Sequence, residues 1–246
     1  MNRSEEVTYD KYPSTPHLQW SPEKHRDDSY HPDPTFFDGR EVVLLEKMDG
    51  ENLNIYSDGS WHARSIQTPY HPTREWAGRV AGEVGYKLPD GWRICAENLY
   101  GTHSIRYTDL RSYVQVYGIV NGDDEFLSWP DVVMWCELLD LVHVPVLWRG
   151  VFDHRDGQPF VRSYSEDGET FWLENLAEQG VNEMAGRESE GYVMRTVEGF
   201  PVPDFEYHVG KWVRENHVQT DEHWLETWEH EGQKNLLESD EGSEED

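Results

Sequence analysis

The chain reads as an α+β protein built on largely antiparallel sheets with flanking helices. Three observations predict this. Short β-rich runs dominate from residue 41 onward. The helical patterns between them are few and widely separated, without a regular βαβ alternation. A two-residue turn signal, Asp58-Gly59, joins two of the β runs directly. At 246 residues, with 36% apolar and 13% aromatic residues, the chain can bury a sizeable core despite 28% charged residues.

The elements follow in order. Residues 1–38 are polar, rich in Pro and His, and without period. They read as an irregular arm laid on the surface, with Trp20, Phe36 and Phe37 as anchors. Glu41–Met48 and Asn52–Ser57 are β-rich, with Asp49-Gly50 between them. A strand at Trp61–Ser65 follows the Asp58-Gly59 turn. Thr73 can cap a helix over Arg74–Val84, with Trp76, Val80 and Val84 near one face. Trp92–Asn98 and Tyr113–Val120 read as buried strands. A helix near Pro130–Leu141 has Ser128 or Trp129 at its cap and proline in its first turn. Val144–Trp148 reads as a strand, and a third helix runs near Glu166–Gln179, stopped by Gly180. Strands at Gly191–Val197 and Glu206–Arg214 precede a last helix near Asp221. The organisation expected is an arm (1–38), one domain (39–230) and an acidic tail (231–246).

Composition excludes several classes. No apolar run reaches 18 residues, and the first twenty residues lack an apolar signal region, so a cytoplasmic protein is expected. Two cysteines, Cys95 and Cys136, give neither a disulfide framework nor metal-ligand spacing. The 12 histidines form no HxH or HxxxH pair, which argues against zinc. The net charge of −28 excludes a uniformly basic nucleic-acid binder. It reads either as adaptation to high salt or as plain acidity with an acidic tail.

The chemistry centres on Lys47, one of 6 lysines against 15 arginines. Glu46-Lys47-Met48-Asp49-Gly50-Glu51-Asn52 lies between two apolar strands. One reading is a hairpin turn carrying a solvated lysine. The other is a nucleophilic amine, which must lose its proton near neutral pH and so needs nearby cations or desolvation. Lysine can do this and arginine cannot.

Lys47-x-Asp49-Gly50-x-Asn52 resembles motif I of the covalent nucleotidyltransferases, which include ATP-dependent ligases and mRNA capping enzymes. The further motifs follow in the family's order. His62-Ala63-Arg64-Ser65 is similar to motif Ia, Ala96–Gly101 to motif III and Tyr113–Val120 to motif IIIa. Ser189–Arg195 is similar to motif IV and Val209–Val213 to motif V. The ordered set looks most like the phage-type and RNA-editing RNA ligases, and the run Val218–Trp224 adds to that likeness.

The resemblance implies an adenylyltransferase domain that uses ATP and Mg²⁺ or Mn²⁺. Lys47 would take AMP from ATP, pass it to an RNA 5′-phosphate, and let a 3′-hydroxyl displace it. Glu97 would hold the ribose, and Glu190 the divalent ion. Arg64 and Lys211 would meet the phosphates and favour a neutral Lys47 by repulsion. Tyr117 would stack on adenine and Glu46 would meet its edge, with Asn52 and Arg106 as further candidates. Motif V commonly has two lysines. Here the first position is Val209, and Arg195 or Arg214 would have to replace it. Only 35 residues follow Lys211, too few for the OB-fold that DNA ligases and capping enzymes carry there. A DNA-sealing enzyme of the same fold and a catalytically silent acidic binding module remain alternatives. RNA would meet a local strip drawn from Arg64, Arg74, Arg79, Arg106, Arg111 and Lys211.

Overall fold

The computed structural model describes residues 9–22, 28–33, 35–67, 69–155, 158–164, 170–173, 178–215 and 234–238. Among them the strands are, in chain order, β1 (Glu41–Glu46), β2 (Glu51–Tyr56), β3 (Trp61–His62), β4 (Arg93–Asn98), β5 (Val114–Val120), β6 (Glu125–Phe126) and β7 (Val142–His143). There follow β8 (Val146–Arg155), β9 (Gln158–Tyr164), β10 (Thr170–Leu173), β11 (Gly191–Thr196), β12 (Phe200–Pro201) and β13 (Val209–Val213). The α-helices are α1 (Glu75–Val84), α2 (Trp129–Leu139), α3 (Glu178–Ala185) and the single turn α4 (Phe205–His208).

The strands form two sheets. One runs β10-β9-β8-β1-β11-β13, and the other runs β12-β6-β5-β4-β2-β3 with β7 beside β5. All pairings are antiparallel except β5 with β7, so the predicted class holds. The main core lies on the second sheet, where Leu53, Ile55, Ile94, Val114 and Val116 meet Ala77, Ala81 and Val132 of α1 and α2. No helix among the described residues is long and apolar enough to cross a membrane.

One sequence reading is overturned at the point that matters most. β1 and β2 are not a hairpin: β1 pairs with β8 and β11, while β2 pairs with β3 and β4. Lys47–Gly50 is therefore a crossover between the sheets. Gly50 serves close approach and does not sit at a left-handed turn position. A Cβ there would lie 2.7 Å from Asn98 O and 2.9 Å from Glu97 Cγ. By contrast, Asp58-Gly59 does turn the β2–β3 hairpin, with Gly59 at φ 80°.

Other differences have local causes. Thr73 is not a helix cap, because Pro72–Arg74 forms a 3₁₀ turn capped by His71, and α1 starts at Glu75. Ser128 caps α2 by accepting from the Asp131 N–H. The third helix is displaced. Thr170–Leu173, β-branched and aromatic, pairs as β10 with β9, and α3 runs through Gly180 until Gly186 ends it at φ 69°. Val144–Trp148 divides, with β8 beginning at Val146, and Glu206–His208 belong to α4. The predicted helix near Asp221, the run 218–224 and residues 239–246 lie outside the described residues.

The arm packs along the free edge of β13. Leu18 N–H donates to Lys211 O at 2.8 Å, and Lys211 N–H donates to Pro16 O at 2.9 Å. Leu18 and Phe37 are buried, Trp20 stacks on Phe152 at 5.8 Å, and the Trp20 indole donates to Tyr192 Oη. Covering the edge removes unpaired backbone groups from water.

Candidate active site

A cavity of about 650 Å³ opens where the two sheets face each other. Period-two alternation decides which side chains line it. From the first sheet come Leu45, Val193, Arg195, Val209 and Lys211, in register across β1, β11 and β13. From the second come Asn52 and Glu97, directly opposite each other on β2 and β4. Tyr117 joins them at the bulge where the β4–β5 register shifts, leaving it without a partner in the ladder. A bulge re-aims a side chain, and here it aims the ring into the cavity wall. Glu46, Lys47 and Arg64 also line this wall. Glu190 is not part of the lining but reaches it through Lys47, and Arg106 is exposed and outside it.

Lys47 follows the last pair of β1, and its N–H donates to Gly191 O at 2.9 Å. That bond sets the crossover against the start of β11. Gly191 has φ 151°, and a Cβ there would lie 2.1 Å from Trp212 O, so no other residue fits. Glu190 precedes it, is 5% exposed, and accepts from Lys47 Nζ at 2.6 Å. Asp49 is held from the other side. Its N–H donates to Tyr107 Oη at 2.9 Å, and Ser104 and Ile105 N–H both donate to its Oδ2 at 2.7 Å.

The electrostatics correct one expectation. Burial alone would lower the Lys47 pKa, but Glu190, then Glu97 and Asp49, more than offset it, so the amine is held above its ordinary value. Nearby cations therefore do not keep it neutral; the carboxylates keep it charged. Lys211 goes the other way, lowered first by burial and then by Lys47, while Asp28 of the arm accepts from its Nζ at 3.4 Å. Asp28 also meets His17 Nε2 at 3.0 Å, and burial lowers that imidazole to about 4.

Glu97 is pushed up to about 8, by burial first and then by Glu190, Asp49 and Glu51, against the pull of Lys47. The folded chain thus keeps a proton that the unfolded chain, near 4.5, has released. Its contribution to stability is complete below about pH 4.5 and is lost as pH rises through about 8, at up to about 1.4 kcal/mol per pH unit. We expect the denaturation midpoint to fall between about pH 5 and 8, and Glu97→Gln to flatten that slope. Equal slopes in both proteins would contradict the assignment of the titration to Glu97.

Glu46 has one carboxylate oxygen on Arg187 at 2.9 Å, while its other oxygen is buried with no hydrogen-bond partner. Asn52 Nδ2 donates to Tyr117 Oη. Val209 sits directly across from Arg195 in the β11–β13 ladder, so the two side chains share one face. Arg195 lines the cavity, donates to Leu127 O, and is lowered to about 10 by burial. Arg214 pairs with Glu188 instead. Arg74 is buried against both oxygens of Glu51.

Sequence reasoning missed the arm's share of the site. Tyr12, Ser14, Thr15 and Asp28 all line the cavity, and Tyr12 packs edge-on against Tyr117 at 5.0 Å. An aperiodic segment offers no register from which to place such residues. Arg187 was likewise hidden in the charged run 187–190, where its contacts with Glu46 and Asp109 distinguish it.

Among the described residues no three His, Cys, Asp or Glu side chains converge as a ready metal cage. Glu190 and Glu97 beside Lys47 offer the one or two carboxylates by which Mg²⁺, keeping several waters and sharing substrate phosphates, would be held. Burial raises Glu97 first, and the neighbouring carboxylates that add to it carry charge a bound cation would relieve.

Two facing antiparallel sheets, a crossover lysine between them and a ring of carboxylates and cations define a nucleotidyltransferase-type adenylation domain. The family model for RNA ligase matches residues 40–213, and the chain belongs to that family. Among solved structures it is similar to the Naegleria gruberi RNA ligase with PPi, at 13% identity and TM-score 0.52, over 89% of this chain and 63% of that one. It is similar also to a variant of that ligase with AMP and Mn, at 12% identity and TM-score 0.52, over 86% of this chain and 57% of that one. A further variant with ATP and Mn gives 11% identity and TM-score 0.51, over 86% and 58%. At such identities the likeness is one of fold. The chain spans less than two thirds of the length of these relatives. The comparison with curated proteins gave no match.

Proposed function

We propose that the chain is an ATP-dependent RNA ligase that joins 5′-phosphate and 3′-hydroxyl ends. The observation that carries this is Lys47 Nζ, 2.6 Å from Glu190, at the wall of a nucleotide-sized cavity lined by the other motif residues. The ligands named for the Naegleria structures, ATP or AMP with Mn and PPi, agree with such a cavity.

Lys47 Nζ attacks the α-phosphorus. The ammonium first gives up a proton to water, a P–N bond forms as the bond to the bridging oxygen breaks, pyrophosphate leaves with the electron pair, and the nitrogen releases its second proton. AMP then passes to an RNA 5′-phosphate, and a 3′-hydroxyl displaces it as the phosphodiester forms. Tyr117 stacks on adenine, with Asn52 fixing its hydroxyl. The unpartnered oxygen of Glu46 accepts from the adenine amino group. Glu97 accepts from ribose hydroxyls. Arg64, Lys211 and Arg195 face the phosphates, where fixed positive charge stabilises the transferring group. Arg195 takes the place of the missing lysine at Val209. Glu190 would hold a divalent ion, which would supply charge neutralisation on the phosphates; Glu190 would then hold the lysine proton less firmly, which favours the free amine.

The test is α-labelled ATP with Mg²⁺. A covalent protein adenylate is expected, followed by sealing of RNA ends. No label would leave a silent binding module, and sealing confined to DNA would assign the other polynucleotide.

We infer further that the chain works in the cytoplasm at high salt. Two buried free cysteines and a net charge of −28 support this. RNA would enter over the exposed Arg64, Arg79, Arg106 and Arg111; Arg74 and Lys211 are already engaged by Glu51 and Asp28. Added salt weakens phosphate contacts but also screens repulsion between the acidic body and RNA, with a Debye length of about 3 Å at 1 M. Sealing is expected to rise with KCl before it falls, while adenylation, which involves a small ligand, responds less. A monotonic fall in sealing from low salt would defeat the high-salt reading.

A further inference from the structure

Residues 234–238 lie beyond the stretch that matches the family, yet they thread through the 99–113 loop beside Lys47. Lys234 bridges Gly101, and Leu237 bridges Leu110. Leu236 N–H donates to Tyr107 O, and Leu110 N–H donates to Leu236 O. These contacts are main chain and would suit many sequences.

Asn235 adds the side-chain-specific part. It is 0% exposed. Its Nδ2 donates to Leu99 O at 2.8 Å and to Gly101 O at 3.3 Å. Its Oδ1 accepts from Tyr107 N–H at 2.9 Å and from Thr102 Oγ1 at 3.0 Å. Its own N–H donates to Tyr100 O, and its carbonyl accepts from Tyr113 Oη. An amide side chain has two donors and an acceptor oxygen with two lone pairs, and all four are used. Aspartate lacks the donors, and leucine lacks everything but the shape.

The loop so held presents three groups to Asp49: the Tyr107 hydroxyl and the N–H groups of Ser104 and Ile105. Tyr107 is itself 1% exposed, with its backbone N–H on Asn235. A continuous line of contacts therefore runs from Asn235 through Tyr107 to Asp49, two residues from Lys47. A loop of this length without regular structure must be ordered from outside. A nucleophile displaced by about 1 Å loses on the order of a hundredfold in rate.

We propose that Asn235 is a positioning residue for the Lys47–Asp49 crossover, an inference that rests on reading Lys47 as the nucleophile. Glu97 and Tyr117, for ribose and base, stand within strands β4 and β5, which are held by their own ladders.

The experiment is single-turnover AMP transfer from labelled ATP in the full chain, with the active fraction fixed by burst amplitude. Asn235→Leu is expected to lower the maximal rate about tenfold or more, with the half-saturating ATP concentration within about threefold. Tyr107→Phe removes one contact on the same line, so the double variant should be no slower than Asn235→Leu alone. Asn235→Asp should approach the wild-type rate measured at the same pH as pH falls, since a neutral acid can donate to Leu99 O and a carboxylate cannot. An unchanged maximal rate per active enzyme, losses that multiply independently in the double variant, or an effect confined to the active fraction would each overturn the proposal. Should wild type form no adenylate, the functional reading fails separately, and hydrogen exchange decides this one. Asn235→Leu must then lower protection at Asp49, Ser104 and Ile105 while β4 and β5 keep theirs; unchanged protection there overturns it.

Discussion

Lys47→Arg is expected to abolish AMP transfer to the protein, by about four orders of magnitude or more, with the fold retained. The bond to be made is P–N, and it needs a nitrogen lone pair. A guanidinium does not deprotonate in proteins, so arginine offers charge without a nucleophile. It can still reach Glu190, the partner of Lys47 Nζ at 2.6 Å, so the buried carboxylate keeps a counter-ion. That makes arginine a sharper probe than alanine. Lys47→Ala leaves a side chain of 6% exposure charged and alone, and part of its loss would be structural. The measurement pairs labelled-ATP incorporation, with the AMP-bearing peptide located by mass spectrometry, against a thermal melt. Wild-type labelling in the arginine variant, or label on a peptide lacking residue 47, would refute the assignment.

The parts of this site that were legible in the sequence are those encoded locally. Lys47, Asp49 and Gly50 lie within four consecutive residues, and the spacing of Arg64, Glu97, Tyr117, Glu190 and Lys211 follows strands whose β-rich runs stand out. What connects the runs was less legible. Two apolar strands with a polar link look alike whether they pair with each other or part into two sheets. Only the absence of a left-handed position at Gly50, and its fit against Glu97 and Asn98, distinguishes the crossover. The sign of the Lys47 shift depends on which carboxylates fold around it, and Glu190 is 143 positions away. Tyr12 and Asn235 make their contacts from aperiodic segments, so neither leaves a pattern. The third helix failed locally: the β-branched and aromatic residues of Thr170–Leu173 pair as β10 with β9 within the stretch read as helical.

Glu190→Gln is expected to lower the maximal adenylation rate about a hundredfold or more and, at the same time, to move its pH dependence toward acid. Two effects of opposite sign meet at this carboxylate. In the wild type Glu190 is the leading influence that holds the Lys47 proton on, against burial, so the rate rises with pH as the amine is freed. With glutamine there, burial is left with only Glu97 and Asp49 opposing it, and the amine loses its proton at lower pH. That change alone would help. Against it stands the loss of a hard, charged oxygen ligand, which glutamine replaces poorly for Mg²⁺. Charge neutralisation on the phosphates is worth several kcal/mol, more than a shift in the neutral fraction returns near neutral pH. The variant should therefore show a lower plateau, a midpoint displaced toward acid, and a higher half-saturating Mg²⁺ concentration. The check is a set of pH–rate profiles for AMP incorporation across a Mg²⁺ titration. A midpoint and a Mg²⁺ requirement both equal to wild type would leave Glu190 no part in metal binding or in setting the Lys47 proton.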